Sequence, residues 1–318
     1  MPKPRISDAE FMELFETRGP KAVREATGCT ERSVYQRRAN IERRIGRQIT
    51  APDNGGNNRT RSNVSHDARY HIDVSDGTVL IGSDAHYWPG IITPAHRAFV
   101  QFCRTEKPAA VILNGDVLDG AGISRHPSIG WENKPSLIEE IEACQARLGE
   151  IEKAAPKAEL VWTLGNHDAR FESRLANVAP EYARVHGVHL KDHFGYRWNP
   201  CWSCWINDDV VVKHRWKGGT HATRNNTLNS GKTMVTGHLH SLKCTPMSDY
   251  RGVRWGVDSG TLASPGGPQF IDYTEDNPVD WRSGFVVLTF HKGELLDPEL
   301  VRVRDENTVV WRGKVIDV

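Results

Sequence analysis

Val161-Trp-Thr-Leu-Gly-Asn-His-Asp168 is the stretch that decides how this 318-residue chain is read. A short β-prone run reaches a glycine, expected to let the backbone turn tightly, and then presents an amide, an imidazole and a carboxylate in consecutive positions. That is a strand delivering polar groups to a sheet edge. Alone, the same tetrapeptide could be an ordinary turn, because Asn, His and Asp are common where strands stop.

Four further apolar runs end in the same way. Residues 78–82 lead to Asp84-Ala-His86, residues 110–113 to Gly115-Asp-Val-Leu-Asp119, residues 210–213 to His214, and residues 234–236 to Gly237-His-Leu-His240. Five strands thus converge their ends on one place, where open α/β sheets put their sites. So many carboxylates and imidazoles cannot be buried together without compensation, and bound cations are the usual compensation.

In order and spacing the five blocks resemble the calcineurin-like metallophosphoesterases, over residues 69–318. The resemblance implies a four-layer α/β/β/α sandwich. The first half alternates strands and helices, with Thr93-Pro94 opening one helix and a capping box, Ser136-Leu-Ile-Glu139, opening another that runs to about Ala155. After His240 the pattern is strands alone, at residues 254–257, 285–290, 300–304 and 308–311, expected to form much of a second sheet packed on the first. The loop 120–135, with Arg125, His126 and Trp131, starts at a metal motif and is a candidate pocket wall.

By resemblance, Asp84, His86 and His240 bind one metal, Asn166, His214 and His238 the other, and Asp116 bridges them. Mixed nitrogen and oxygen ligands favour two manganese ions, with iron or zinc as alternatives. The implied nucleophile is a hydroxide bridging the metals. His167 is then the general acid and Asp119 its orienting partner, while Asp168 has a supporting role at most. Arg170, Arg215 and Lys217 flank ligands and are candidate phosphate contacts. His221 competes with His214 for the metal, but His214 ends a strand and is preferred.

Residues 1–47 separate from the rest by pattern. Ser7-Asp-Ala-Glu10 is a capping box, helix one is expected to stop at Gly19-Pro20, a short second helix at Gly28, and a third from Thr30 to Ile45 carries Val34, Ile41 and Ile45 on one face. The arrangement resembles the helix-turn-helix modules of phage and transposon proteins, with Arg32, Gln36, Arg37, Asn40, Arg43 and Arg44 near the DNA-facing side. An excess of roughly four positive charges over the first fifty residues suits phosphate contacts. Residues 48–68, rich in Asn, Gly, Thr, Ser and Arg, read as a tether.

Composition excludes other classes. The formal net charge is +1, so no global polyelectrolyte is implied. No stretch approaches the roughly 20 apolar residues that cross a bilayer, and the N-terminus lacks an apolar signal core, so a cytoplasmic protein with no membrane partner is expected. Six scattered cysteines read as reduced thiols, and the Cys201, Cys204 pair lies in a strand with no second pair nearby, which favours a structural role. Ser230-Gly-Lys-Thr233 imitates a P-loop but precedes a strand where a P-loop follows one.

Gly120 and Asp168 stand where the protein Ser/Thr phosphatase branch has arginine and glutamate, so the chain is more similar to the phosphodiesterase and nuclease branches, including the Mre11/SbcD type. With the helical prefix this gives a nuclease acting on DNA or other nucleic acid. The alternatives are a phosphatase or cyclic-nucleotide phosphodiesterase with small substrates, and a DNA-binding regulator with a non-catalytic metal domain. Helix-turn-helix modules often pair, so a homodimer is a further expectation.

Overall fold

The computed structural model describes residues 6–45, 47, 49, 51, 67–126 and 134–318. They fall into two compact units, one within residues 1–64 and the other within 65–318. Trp131 lies outside the described residues.

The first unit holds α1 (Asp8–Thr27) and α2 (Glu31–Ile45). Ser7 and Glu10 close the expected capping box, and Thr30 Oγ accepts from the Ser33 amide at 3.3 Å. Gly19, at φ 78°, kinks α1 before Pro20, so the two expected helices run on through a bend. Phe11, Phe15, Val23, Val34, Ile41 and Ile49 form a small core. Ile45, expected on that face, is 40% exposed, because α2 ends there.

The basic face is divided between exposed and paired side chains. Arg32, Gln36 and Asn40 are exposed. Arg37 instead donates to Asp8 at 2.7 Å and stacks over the Phe11 ring, and Arg44 pairs with the same carboxylate. These two cations are engaged within the unit. The Arg43 side chain lies outside the described set.

The second unit runs β1 (Asp67–Ile72), β2 (Gly77–Gly82), α3 (Pro94–Glu106), β3 (Ala110–Asn114), α4 (Leu137–Ala154), β4 (Glu159–Thr163), α5 (Asp168–Val178), β5 (Trp198–Ile206), β6 (Val210–Lys213), α6 (Ala222–Ser230), β7 (Thr233–Thr236), β8 (Lys243–Asp249) and β9 (Gly252–Asp258). A short α7 (Ile271–Thr274) then precedes β10 (Gly284–His291), β11 (Glu294–Leu295), β12 (Glu299–Asp305), β13 (Thr308–Trp311) and β14 (Lys314–Asp317). Thr93 and Ser136 cap α3 and α4 as expected.

The strands form one mixed sheet in the order β14-β13-β12-β10-β2-β3-β4-β5-β6-β7-β9-β8, with β1 beside β5 and β11 beside β10. β5 is the turning point: its first half pairs parallel with β4 and its second half antiparallel with β6. The strands after His240 therefore do not gather in a separate sheet. β10 and β12 to β14 extend the β2 end, whereas β8 and β9 extend the β7 end.

The physical reason lies in β10. Phe285 and Val287 join the apolar cluster against α3 and α4, while Val286 and Leu288 join the cluster on the opposite face. A strand apolar on both faces belongs in a sheet interior, and each such side chain stabilises the fold by about 1.5–3 kcal/mol when fully buried. The second cluster also unites Ile112 and Val161 with Val210, Val212, Val235 and Val257, so both halves of the sheet share it. Cys201 and Cys204 are buried in it and form no disulfide.

Behind the site, buried His96 links Tyr87 Oη, 2.9 Å from Nδ1, to Glu150, 2.8 Å from Nε2. Burial outweighs the Glu150 attraction and takes the imidazole down to about 4. The neutral ring is thus the one that fits, donating to Glu150 and accepting from Tyr87. The folded value lies below the unfolded one of about 6.5, so the stabilisation is complete above pH 6.5 and is lost as pH falls towards 4, by about 3 kcal/mol. Thermal unfolding across that range should show a shallower pH slope in His96→Gln than in the wild type.

Candidate metal centre

The C-terminal ends of β2, β3, β4, β6 and β7 deliver the site. The backbone there is unusual: Asp84, His86, Asp116, His238 and His240 all have positive φ, between 39° and 71°. Each such residue costs roughly 1–2 kcal/mol, and such strain persists only where the surroundings over-determine it. Part of that restraint is visible, since the amides of Asp84 and His86 donate to the carbonyls of Gly115 and Asp116, each at 2.9 Å.

Two glycines are required by proximity. A Cβ at Gly165 would stand 2.0 Å from Asp116 Oδ1 and 2.4 Å from its amide nitrogen. The chain does turn at Asn166 and His167, but Gly165 has no positive φ, so left-handed backbone freedom is not why a glycine is needed: it is there because the loop after β3 lies against it. At Gly237 a Cβ would meet Ser83 Oγ at 2.0 Å and Asp84 Oδ2 at 2.6 Å.

Asp168 fastens the loops together. Its buried carboxylate accepts from the amides of Gly165 (2.8 Å), Asp116 (2.9 Å), Val117 (3.0 Å) and Leu118 (3.0 Å), and from Trp162 Nε1 (3.0 Å). Burial and the neighbouring Asp116 charge together push it up to about 6, against the pull of these donors.

The imidazoles and carboxylates collect into overlapping groups. Asp84, His86 and His240 offer ligand atoms within 4.8 Å of one another, as do Asp116, His214 and His238. Asp84 Oδ1 lies 3.0 Å from His240 Nε2, and Asp116 Oδ2 lies 3.1 Å from His214 Nε2. His86 Nε2, His214 Nε2, His240 Nδ1 and Asn166 Oδ1 are buried with no hydrogen-bond partner among the described residues. Unsatisfied buried acceptors are costly, and four of them on expected ligands are what divalent cations would satisfy. His214 Nδ1 donates to the Asn114 carbonyl at 2.8 Å, leaving Nε2 as the lone-pair nitrogen.

A third group, His86, Asp119 and His167, overlaps the first. Asp119 Oδ1 receives His86 Nδ1 at 2.8 Å and lies 3.1 Å from His167 Nδ1, so one oxygen orients both a candidate ligand and the candidate acid. Arg170 was expected to touch phosphate. Here its Nη2 is 2.9 Å from His167 Nε2 and its Nη1 donates to the Asp119 carbonyl at 3.0 Å.

Electrostatically the site demands positive charge. Burial alone would raise Asp116, but His214 and His167 hold it well below the usual carboxylate range. Asp84 is likewise lowered, by His240 and His214 against burial. In turn Asp116 and Asp84 overcome burial and lift His214 to about 10. His86 and His238 are lowered, chiefly by burial. Cations in place of these protons would satisfy the same carboxylates and free the imidazoles to ligate.

Arg215, Lys217 and His221 are exposed on the loop after β6, and His221 stands outside the groups that hold His214. Three supports lay beyond the motif reading: Glu140, accepting from Gly120 N at 2.6 Å and Ala121 N at 3.0 Å, Asp258, accepting from Ser241 N at 3.0 Å, and Phe270, whose ring centroid is 5.1 Å from that of His86. Only Glu140 left a signal, as a carboxylate beside the apolar stripe of a helix.

The fold and this donor set define a metal-dependent phosphoesterase with a dimetal site of His and Asp groups. The chain belongs to the calcineurin-like phosphoesterase family, whose profile matches residues 77–281. Among solved structures it is similar to Vps29 of Chaetomium thermophilum (9% identity, 76% of this chain and 95% of that one, TM-score 0.38). It is also similar to YfcE, a phosphoesterase from E. coli (15%, 70% and 97%, 0.33), and to a dimetal phosphatase from Danio rerio (11%, 75% and 99%, 0.39). No curated protein matches the chain. No helix among the described residues is long and apolar enough to cross a membrane.

Gly165→Ala drives a methyl into Asp116. It should lower the stoichiometry of bound divalent metal and cut phosphoester turnover about a hundredfold by misplacing Asp116, while costing only about 1–3 kcal/mol of stability by overpacking, as metal analysis, kinetics and thermal unfolding together would show.

Proposed function

We propose that the chain is a phosphodiesterase acting on nucleic acid, a nuclease, with Asp84, His86 and His240 holding one divalent cation, Asn166, His214 and His238 the other, and Asp116 serving both. The observation that carries hydrolysis is His167, 20% exposed beside the orphaned ligand atoms and oriented through Nδ1 by Asp119. Bound cations would supply Lewis acidity to the phosphoryl group and bring a water pKa from about 16 down towards 7.

The chain's own residues do the rest. Burial disfavours a charged His167, but Asp116 and Asp119 raise its pKa and so favour the proton that a leaving oxygen needs. That proton is delivered from Nε2, the atom now facing Arg170, so the guanidinium has to turn away, and a phosphate oxygen is its natural new partner. Gly120 in place of the arginine of the protein phosphatase branch supports a diester over a phosphoprotein, in line with the Mre11/SbcD type. Arg32, Gln36 and Asn40, exposed on α2, support recruitment of DNA by the first unit as a helix-turn-helix module, working as a homodimer in the cytoplasm.

The test is hydrolysis of single- and double-stranded DNA, a generic diester and a generic monoester after loading with manganese, with Asp116→Asn as blank. Metal-dependent DNA cleavage absent from the blank is expected, together with loss of turnover but retention of metal in His167→Ala. Turnover of the small esters with intact DNA would move the substrate to nucleotides or phosphoproteins. Arg32→Gln should weaken duplex binding and make its salt dependence shallower by about one unit of log–log slope, and an unchanged slope would remove the first unit from DNA binding.

A further inference from the structure

We infer that the loop after β6, residues 215–221, is a landing ridge for single-stranded nucleic acid, with one base stacked on Trp216 and the neighbouring phosphates held by Arg215 and Lys217. The inference rests on the nuclease reading and names which part of the substrate meets which side chains.

Trp216 is the starting anomaly. It is 47% exposed although it lies only two residues beyond buried His214. The loop does not need the indole to hold its shape. Buried Asn226 accepts from the Lys217 amide at 3.0 Å and donates to the Lys217 carbonyl at 3.3 Å, and Lys243 Nζ donates to the Thr220 carbonyl at 3.4 Å. An aromatic ring is therefore held out in water on a loop tied down by other groups. The ammonium of Lys217 lies over that ring, 5.9 Å from its centroid.

Charge points the same way. Residues 210–248 contain no Asp or Glu and six Lys or Arg. Arg215, Lys217 and Arg224 are exposed among them, and Arg215 is near enough to His238 to disfavour its protonation. A stacking platform between cations, beginning one residue beyond a candidate ligand, suits a strand whose phosphates track the cations while a base covers the ring. A base in a duplex is already stacked on both faces, so the ring favours single strands.

The experiment measures binding of fluorescein-labelled dT12 by anisotropy, with manganese-loaded protein in the His167→Ala background, which keeps the metal ligands, so that cleavage does not intervene. Trp216→Ala should weaken binding about tenfold at unchanged manganese stoichiometry, and Trp216→Phe should restore most of it. The double variant Arg215→Gln with Lys217→Gln should reduce the log–log salt slope by about 1.4, two single-strand phosphate contacts. In the His167-containing enzyme, Trp216→Ala should raise KM for dT12 with little change in kcat. If Trp216→Ala binds dT12 as tightly as its parent while the wild type cleaves dT12, the ridge is wrong and the nuclease reading survives. Wild-type turnover of bis(4-nitrophenyl) phosphate with dT12 neither bound nor cut would overturn both.

Discussion

The Asp168 carboxylate, shared among five N–H donors, is the interaction on which the centre depends. Four of those donors are backbone amides of the loops after β3 and β4, so a single buried anion sets how closely Asp116 approaches Gly165. Hydrogen bonds to a charged acceptor contribute about 1.5–3 kcal/mol each, enough to hold Asp116 at positive φ, where a non-glycine residue would otherwise relax. The donors also keep Asp168 itself from becoming one more unpaired carboxylate in a crowded site.

The same economy recurs around the site. Asp119 orients two histidines with one oxygen, and the Asn114 carbonyl accepts both from His214 and from the Ser83 hydroxyl. Each shared acceptor leaves an imidazole nitrogen, His86 Nε2 or His214 Nε2, with no hydrogen-bond partner among the described residues, and that deficit makes the site a cation site. Strain and unsatisfied atoms thus coincide spatially with the chemistry, because both are tolerated only where a bound group repays them.

Much of this was legible from residue order. The five strand ends were visible as apolar runs stopping at polar blocks, and the caps of α1, α3 and α4 followed from Ser, Thr, Pro and Glu at fixed offsets. Less legible was anything set by partners distant in sequence. The glycine of the Gly-Asn-His-Asp block looks like a turn residue, yet its reason is an aspartate 49 positions earlier, which a periodicity argument does not see. Arg37 and Arg44 look like free cations on a basic helix, but Asp8, on another helix, engages them.

The chain order by itself determined which residues bear the chemistry and that they lie at strand ends, since local propensity and the period of two act over a few positions. Tertiary structure alone decided which sheet edge β10 joins, because burial on both faces of Phe285 to Leu288 is satisfied only by neighbours from elsewhere in the chain. It alone decided that Arg170 faces His167, that Asp168 is a clamp, and that Trp216 stands in solvent. Those outcomes are set by distances between loops that the sequence spells far apart, and close packing and charge pairing fix them only once the strands have been brought side by side.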